Sequence, residues 1–293
     1  MALRAKSAEN VTGTIVVGYD EREVSGDALA LARLLAETTS ARLVVAMVLP
    51  YEVRQMGLDA YRHALAEDRQ RVLLPLLEEL GGTEQADVEV LGDHSTPRAL
   101  HRFVEDSQAD MVVIGSSERA ELGRILAGTT AERLLHGSPC PVAVAPRGYR
   151  DTEPGLYVIG VAFDGSPESA SALRLGADLA TRASATVRII TVLPKLGGTG
   201  PEAAQARTAW RAELRDRVHE EATALPRDLR ALPVVEEGDP ARLLLDESEK
   251  GVDLMITGSR AYGPLRRVLL GSVSSALMRS APCPVLVVPR ADS

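Results

Sequence analysis

The chain repeats itself. SPCPVAVAPR at 138–147 returns at 281–290 as APCPVLVVPR, and ADMVVIGSS at 109–117 returns at 252–260 as VDLMITGSR. Gly115 and Gly258 stand 143 positions apart, as do Gly128 and Gly271, and Asp20 and Asp164 stand 144 apart. Near the start, TIVVGYDEREVSGDALALARLLA pairs with VIGVAFDGSPESASALRLGADLA. A repeat matched at both ends of each copy constrains the fold more than any single motif, because whatever one copy forms the other forms too. A chain of 293 residues has room for two units of ordinary size. Residues 1–148 and 149–293 are read as those two domains, and the polar, Gly- and Pro-punctuated stretch Arg147–Gly155 as the linker between them.

Each half has the same order of elements. In the first, short apolar runs at Ile15–Tyr19, Arg42–Val48, Val88–Leu91, Asp110–Ile114 and Pro141–Ala145 predict strands. Helical spacing is expected over Asp27–Glu37, Asp59–Leu80, Pro97–Asp106 and Thr130–His136. The second half repeats this, with strands at Val158–Phe163, Thr186–Val192, Leu232–Glu236, Asp253–Thr257 and Val285–Val288. Its helices are expected over Glu168–Ala180, Pro201–Leu225, Ala241–Glu249 and Ser274–Arg279. Apolar strands alternating with helices imply βαβ crossovers and a parallel sheet covered on both faces. The fold class is therefore α/β, two tandem doubly wound units, each a five-stranded parallel sheet with helices on both faces. In such a sheet a ligand sits beyond the carboxyl ends of the strands, where the strand order reverses.

Composition removes several classes of function. A net charge of −8 argues against general nucleic-acid binding, which needs concentrated Lys and Arg. The amino-terminal MALRAKSAENVTG has no signal-peptide core, and no run approaches the roughly 20 apolar residues of a membrane helix. A cytoplasmic protein with no membrane partner is expected. Cys140 and Cys283 each lie in a Pro-Cys-Pro tripeptide, with no CxxC spacing and no clustered His. They read as small buried residues at the start of a strand rather than as a redox pair or a metal site.

The candidate site lies at the strand ends. The first strand of each half ends at Asp20 or Asp164, the second at Val48 or Val192, and the fourth at Gly115 or Gly258. An aspartate there would accept from a ribose or a base edge; equally, Asp-Gly-Ser at 164–166 makes a turn by itself. A valine would pack on a flat ring. Gly115 and Gly258 lack a Cβ, which lets a ligand approach the backbone. Gly128-Thr129-Thr130 and Gly271-Ser272-Val273-Ser274 stand at predicted helix starts, where free N–H groups and the helix dipole favour an anion. The alternative is plain capping, since Thr129 and Glu132 have capping-box spacing. There is no GxxxxGK[ST], no GxGxxG after either first strand, no GxSxG, and no Ser/His/Asp or metal set. No catalytic residue is named, and turnover chemistry is not expected.

Two tandem α/β units, each with a glycine loop, a Gly-(Ser/Thr) helix start and PCPVxVxP, resemble the universal stress protein family over nearly the whole chain. The resemblance implies a flavodoxin-like or adenine-nucleotide-hydrolase-like fold and a stress-response regulatory role. In one subset of that family ATP is bound through Gly-x2-Gly-x9-Gly-(Ser/Thr). Carried over by position, it implies adenosine contacts at Asp20 with Val48 and at Asp164 with Val192. It implies phosphate and ribose contacts at Gly115, Gly128, Thr129 and Thr130, and at Gly258, Gly271, Ser272, Val273 and Ser274. The implied ligand is ATP, with or without Mg2+. Both copies depart from the motif at its second glycine, replaced by Glu118 in one and Ala261 in the other. A carboxylate beside a triphosphate repels it, whereas a methyl is a mild change. Arg260, Arg266 and Arg267 favour the second loop, while Arg119 and Arg124 stand against Glu118 and Glu121 in the first. An adenine nucleotide is therefore expected to prefer the second domain, and a structural or interaction module without a ligand is the competing reading. In the family the last strands pair antiparallel. Pro141–Ala145 and Val285–Val288 are expected to do so within this chain, with a homodimer as a further option.

Overall fold

The computed structural model describes residues 13–20, 22–49, most positions between 57 and 71, and 86–193, 200–261 and 268–289. The first half comprises β1 (Thr14–Tyr19), α1 (Glu23–Thr39), β2 (Arg42–Leu49), β3 (Ala86–Gly92), α2 (Thr96–Asp106), β4 (Met111–Gly115), α3 (Thr129–Leu135) and β5 (Val142–Ala145). The second comprises β6 (Val158–Ala162), α4 (Pro167–Ala183), β7 (Thr186–Leu193), α5 (Pro201–Ala224), β8 (Ala231–Glu237), α6 (Pro240–Ser248) and β9 (Leu254–Gly258). A short hairpin of β10 (Arg260–Ala261) and β11 (Val268–Leu269) follows, then α7 (Ser272–Ser280) and β12 (Val285–Val288). Helical residues also fall between 59 and 71, and the rest of the helix expected to reach Leu80 lies outside the described residues.

The strands are apolar on both faces because both faces are covered. Ile15 and Val17 of β1 pack into one core with Leu31 and Leu35 of α1, while Val16 faces the other with Val112 and Val144. Such strands read as continuous hydrophobic runs, without the alternation of a half-exposed sheet. The larger sheet runs β3-β2-β1-β4-β5-β12-β9-β6-β7-β8. The order reverses beside β1 in one half and beside β6 in the other, so each half has its crevice at the carboxyl ends of those strands. β5 and β12 meet antiparallel, with Val144 opposite Val285 and Val142 opposite Val287, and the remaining neighbours in this sheet are parallel. Among the described residues the sheet ends in β3, which carries Asp87 and Glu89, and in β8, which carries Pro233 and Glu237. No helix of the described residues is long and apolar enough to cross a membrane.

Two boundaries differ from the sequence reading in ways that matter. α1 begins at Glu23, four residues before the expected Asp27, and Gly26 lies inside it. A Cβ at Gly26 would meet the Arg150 guanidinium at 2.6 Å, so this glycine is a packing residue and not a helix breaker. The linker is also less polar in place than in sequence. Tyr149 begins a single 3-10 turn, is buried in the larger core cluster, and has its hydroxyl pKa pushed up by that burial. The turn is held by Asp27 of α1, a fully buried carboxylate that accepts from the N–H groups of Gly148 at 2.8 Å and Arg150 at 3.0 Å. The domain boundary expected after Gly148 falls within this anchored segment.

Cys140 and Cys283 are buried just before β5 and β12, and burial pushes both thiols up to about 12. The thiolate is the reactive form, so neither thiol is expected to react with a water-soluble disulfide reagent at pH 8 until denaturant is added. Rapid labelling of the native protein would contradict this burial. Asp27→Ala strands two backbone donors next to the core. It is expected to cost about 2–6 kcal/mol in urea denaturation, each of the two orphaned donors accounting for roughly 1–3 kcal/mol.

Candidate functional site

The residues singled out in the sequence lie where the topology places its crevices. Asp20 and Asp164 directly follow β1 and β6 or lie just beyond them, and Val48 and Val192 are the penultimate residues of β2 and β7. Gly115 and Gly258 close β4 and β9, and Gly128 and Gly271 precede α3 and α7. Both valines are partly buried and pack against the second core cluster. Val48 stands beside Leu91 of β3, and Val192 beside Glu236 of β8.

The aspartates perform turn chemistry in both halves. Asp20 Oδ1 accepts from the Arg22 N–H at 3.3 Å, and Asp164 Oδ1 from the Ser166 N–H at 3.0 Å. Gly165 supplies the positive φ of +79° this second turn needs, and Ser166 then caps α4 by accepting from Ser169 N at 3.2 Å. Asp20 is engaged further. It accepts from Ser25 Oγ and, at 2.6 Å, from Arg22 Nε, and its hydrogen bond raises the pKa of that guanidinium. Arg22 also reaches Glu118 Oε2 at 3.8 Å. Glu118, the residue that replaces the motif's second glycine, thus shares one arginine with Asp20.

The two strand-end glycines are explained by packing. A Cβ on Gly115 would lie 2.1 Å from the Val24 carbonyl oxygen, and one on Gly258 would lie 2.8 Å from that of Glu168. The first turn of α1 or α4 crosses at each position, so the fold needs glycine there whether or not a ligand approaches. Gly128 is different. It has an ordinary extended backbone, φ −80° and ψ 176°, and an added Cβ would meet only Ser117 Cβ at 3.9 Å. Gly271 has matching geometry, φ −69° and ψ 169°.

The capping-box expectation at Thr129 is not met. Gly128 is the N-cap of α3 and no side chain caps it; Thr129 is already the first helical residue and is exposed. Thr130 follows in the same turn, partly buried. α7 starts the same way, from uncapped Gly271, with exposed Ser272 and half-buried Val273. Because α7 starts at Ser272 and not at Ser274 as expected, Ser274 points inward. It is buried, donates to the Gly258 carbonyl at 3.3 Å and lies 3.4 Å from Thr257 Oγ1. Ser274 therefore ties α7 to β9, and its hydroxyl is not presented to the crevice. Its counterpart one repeat earlier is Ala131, a core residue.

The described parts of the loops between the glycines differ. In the first half, Ser116 Oγ accepts from Leu126 N at 2.7 Å and Ser117 N donates to Leu126 O at 2.8 Å, closing the loop on itself. Arg147 braces it, donating to the carbonyls of Glu118 at 3.2 Å and Ala120 at 3.1 Å. Arg124, read from sequence as a cation for this loop's own site, instead contacts Glu249 in the second half at 2.8 Å. In the second half the equivalent serine, Ser259, is 1% exposed, and its hydroxyl has no hydrogen-bond partner among the described residues. The loop that follows is the β10–β11 hairpin, which pairs Arg260 with Leu269 and Ala261 with Val268. Arg266 and Arg267 lie outside the described residues. The sequence reading missed Arg217 of α5, whose Nη1 lies 3.2 Å from where a Gly165 Cβ would stand, beside the Asp164 turn. Nothing in the spacing of a long charged helix marks that residue. Among the described residues no group of three or more His, Cys, Asp or Glu is placed to hold a metal ion.

Comparison with known proteins decides the family. The universal stress protein family profile matches residues 12–146 and again residues 157–289. The chain belongs to the universal stress protein family. A universal stress protein of Mycobacterium tuberculosis is 30% identical over 302 residues, covering 94% of this chain and 99% of the relative. One from Mycolicibacterium smegmatis is 32% identical over 231 residues, covering 78% of this chain and 76% of the relative. Among solved structures, a universal stress protein of Archaeoglobus fulgidus matches with a TM-score of 0.64 and 19% identity, covering 94% of this chain and 98% of that one. A functionally unknown protein of Pseudomonas aeruginosa matches with a TM-score of 0.70, also at 19% identity, covering 97% and 94%. These structures share the fold, and the tandem α/β architecture expected from the repeat is what the family match and the sheet display.

The glycine analysis predicts opposite effects of two similar substitutions. Gly115→Ala forces backbone apart from backbone and is expected to destabilise by at least roughly 1–3 kcal/mol, the usual cost of overpacking. Gly128→Ser adds a good N-cap in open space and is expected to change stability by less than about 0.5 kcal/mol, or to raise it. Urea titrations of both variants measure the difference; equal losses would contradict the geometry.

Proposed function

We propose that this universal stress protein is an adenine-nucleotide-binding regulatory protein. Its site is in the second half, at the carboxyl ends of β6, β7 and β9 and the start of α7, and the ligand is ATP, with or without Mg2+. The observation that carries this reading is that two copies of one motif have been put to different uses. In the first, Arg22 holds Asp20 together with Glu118, and the glycine loop is bonded through Arg124 to the other half. In the second, α7 is a nine-residue helix starting, like α3, from an uncapped glycine, but here the nearby buried serine hydroxyl has no partner among the described residues. Unpaired N–H groups at a helix start attract an anion, and a buried unpaired hydroxyl is a cost that a ligand oxygen offsets.

In this reading Asp164 and Val192 contact the nucleoside. Gly258 lets the chain turn closely, and the backbone N–H groups of Ser272 and Val273, with the Ser272 hydroxyl, take the phosphates. Ser274 positions α7 from behind. Arg217 adds a cation at the Asp164 turn. Among the described residues no nucleophile, general base or metal cluster is offered, so in this reading the bound nucleotide acts as a signal and turnover is not assigned. The two units, 1–148 and 149–293, work as a pseudo-two-fold pair through β5 and β12, and no second chain is required. A cytoplasmic stress-response role belongs to the same proposal.

Calorimetry of the full chain with ATP tests it. Gly271→Val is expected to weaken binding by about tenfold or more, equivalent to losing roughly one good hydrogen-bonded contact. Gly128→Val is expected to leave it unchanged. Loss in Gly128→Val alone would move the site to the first half. No binding by the unaltered protein, and no nucleotide released when it is denatured, would favour an interaction module without a ligand.

A further inference from the structure

The glycine loop of the first half ends on the helix that opens the second half's site. Ile125 N donates to the Ala281 carbonyl at 2.9 Å, and Ala127 N to the Met278 carbonyl at 2.7 Å. Arg124 Nη1 donates to the Ser280 carbonyl at 3.0 Å, while its Nη2 reaches Glu249 Oε1 at 2.8 Å, just beyond α6. Met278, Ser280 and Ala281 form the last turn and C-cap of α7, whose carbonyls have no partner within the helix. Two backbone donors and one guanidinium from the other half therefore satisfy them, and a cation at a helix carboxyl end is favoured by the dipole as well. The loop is rigid enough to serve. Ile125 is fully buried, the Ser116–Leu126 bonds close its base, and Gly123 N and Arg147 N tie it to its own half at 2.8 and 3.1 Å. At the matching end of α3, His101 Nε2 lies 2.6 Å from the Gly137 carbonyl. Among the described residues these contacts run from the first copy onto the second; Arg267, the counterpart of Arg124, lies outside them.

We infer that the first half's glycine loop is a clamp on α7, and that Arg124 is a positioning residue for the second half's nucleotide site. It acts through nine residues of helix without touching the ligand. This rests on the reading of the Gly271–Ser272 end as the nucleotide site, so the test needs one readout that involves no nucleotide.

Hydrogen exchange of the full chain without ligand, in Arg124→Met, supplies it. Amides of α7 are expected to exchange at least about fivefold faster while those of α4 are unchanged, the low end for coupling between distant groups. A parallel ATP titration is expected to show affinity reduced by a similar factor. Glu249→Gln removes the partner of the same guanidinium, so the double variant should lose less than the sum of the two single losses. Unchanged α7 exchange would overturn the clamp, and so would a rise shared equally with α4, which reports general loosening. Faster α7 exchange with unchanged ATP affinity would overturn the positioning role. If the unaltered protein binds no ATP, the nucleotide reading and the positioning role both fall, and the exchange result still decides whether the loop holds α7.

Discussion

Everything about this molecule depends on the backbone bonds between β5 and β12. Each strand is short, four residues, and each would be an unprotected edge in an isolated half. Their antiparallel pairing, Val144 to Val285 and Ala143 to Leu286, removes both edges and makes one sheet of ten strands. It also fixes the halves back to back, so that the loop after β4 lies against the end of α7. The Arg124 and Ile125 contacts exist because this pairing brings them within reach. The Tyr149 turn, held by Asp27, sets how the chain passes from one half into the other.

Duplication normally gives two equal sites, and here the same residues have come to mean different things. Asp20 and Asp164 are the same position, yet one is crossed by an arginine shared with Glu118. Ser116 and Ser259 are the same position, yet one closes a loop and the other is buried with no partner among the described residues. Glu118 is the residue that lets Arg22 bridge the β1 end to the loop.

How much of this was legible in the sequence follows from what kind of signal each feature leaves. The repeat and the apolar runs announced ten strands in two identical orders, because strands buried on both faces write themselves as unbroken Val, Ile and Leu. The β10–β11 hairpin was not legible, since two-residue strands carry no period. Helix starts were misplaced where no side chain caps the helix, as at Glu23 and Ser272, and at α7 that error sent Ser274 to the wrong side. Gly115 and Gly258 were visible as special, but a glycine says only that a Cβ does not fit. Whether helix backbone or ligand fills the space is a fact of the third dimension. Arg124 shows the limit most plainly: its partners, Glu249 and Ser280, lie 125 and 156 positions away.

The outer strands of the ten-stranded sheet have a consequence of their own. A sheet this long, with its inner edges fused, could go on adding strands from other molecules and grow into fibres. On one side, β3 presents Asp87 and Glu89; on the other, β8 carries Glu237 and Pro233, which lacks the N–H that a further strand would have to accept. The duplication that joined two sheets has also terminated the product at both ends. Acidic side chains at one described edge and a missing donor at the other therefore disfavour the backbone pairing by which such a sheet would extend.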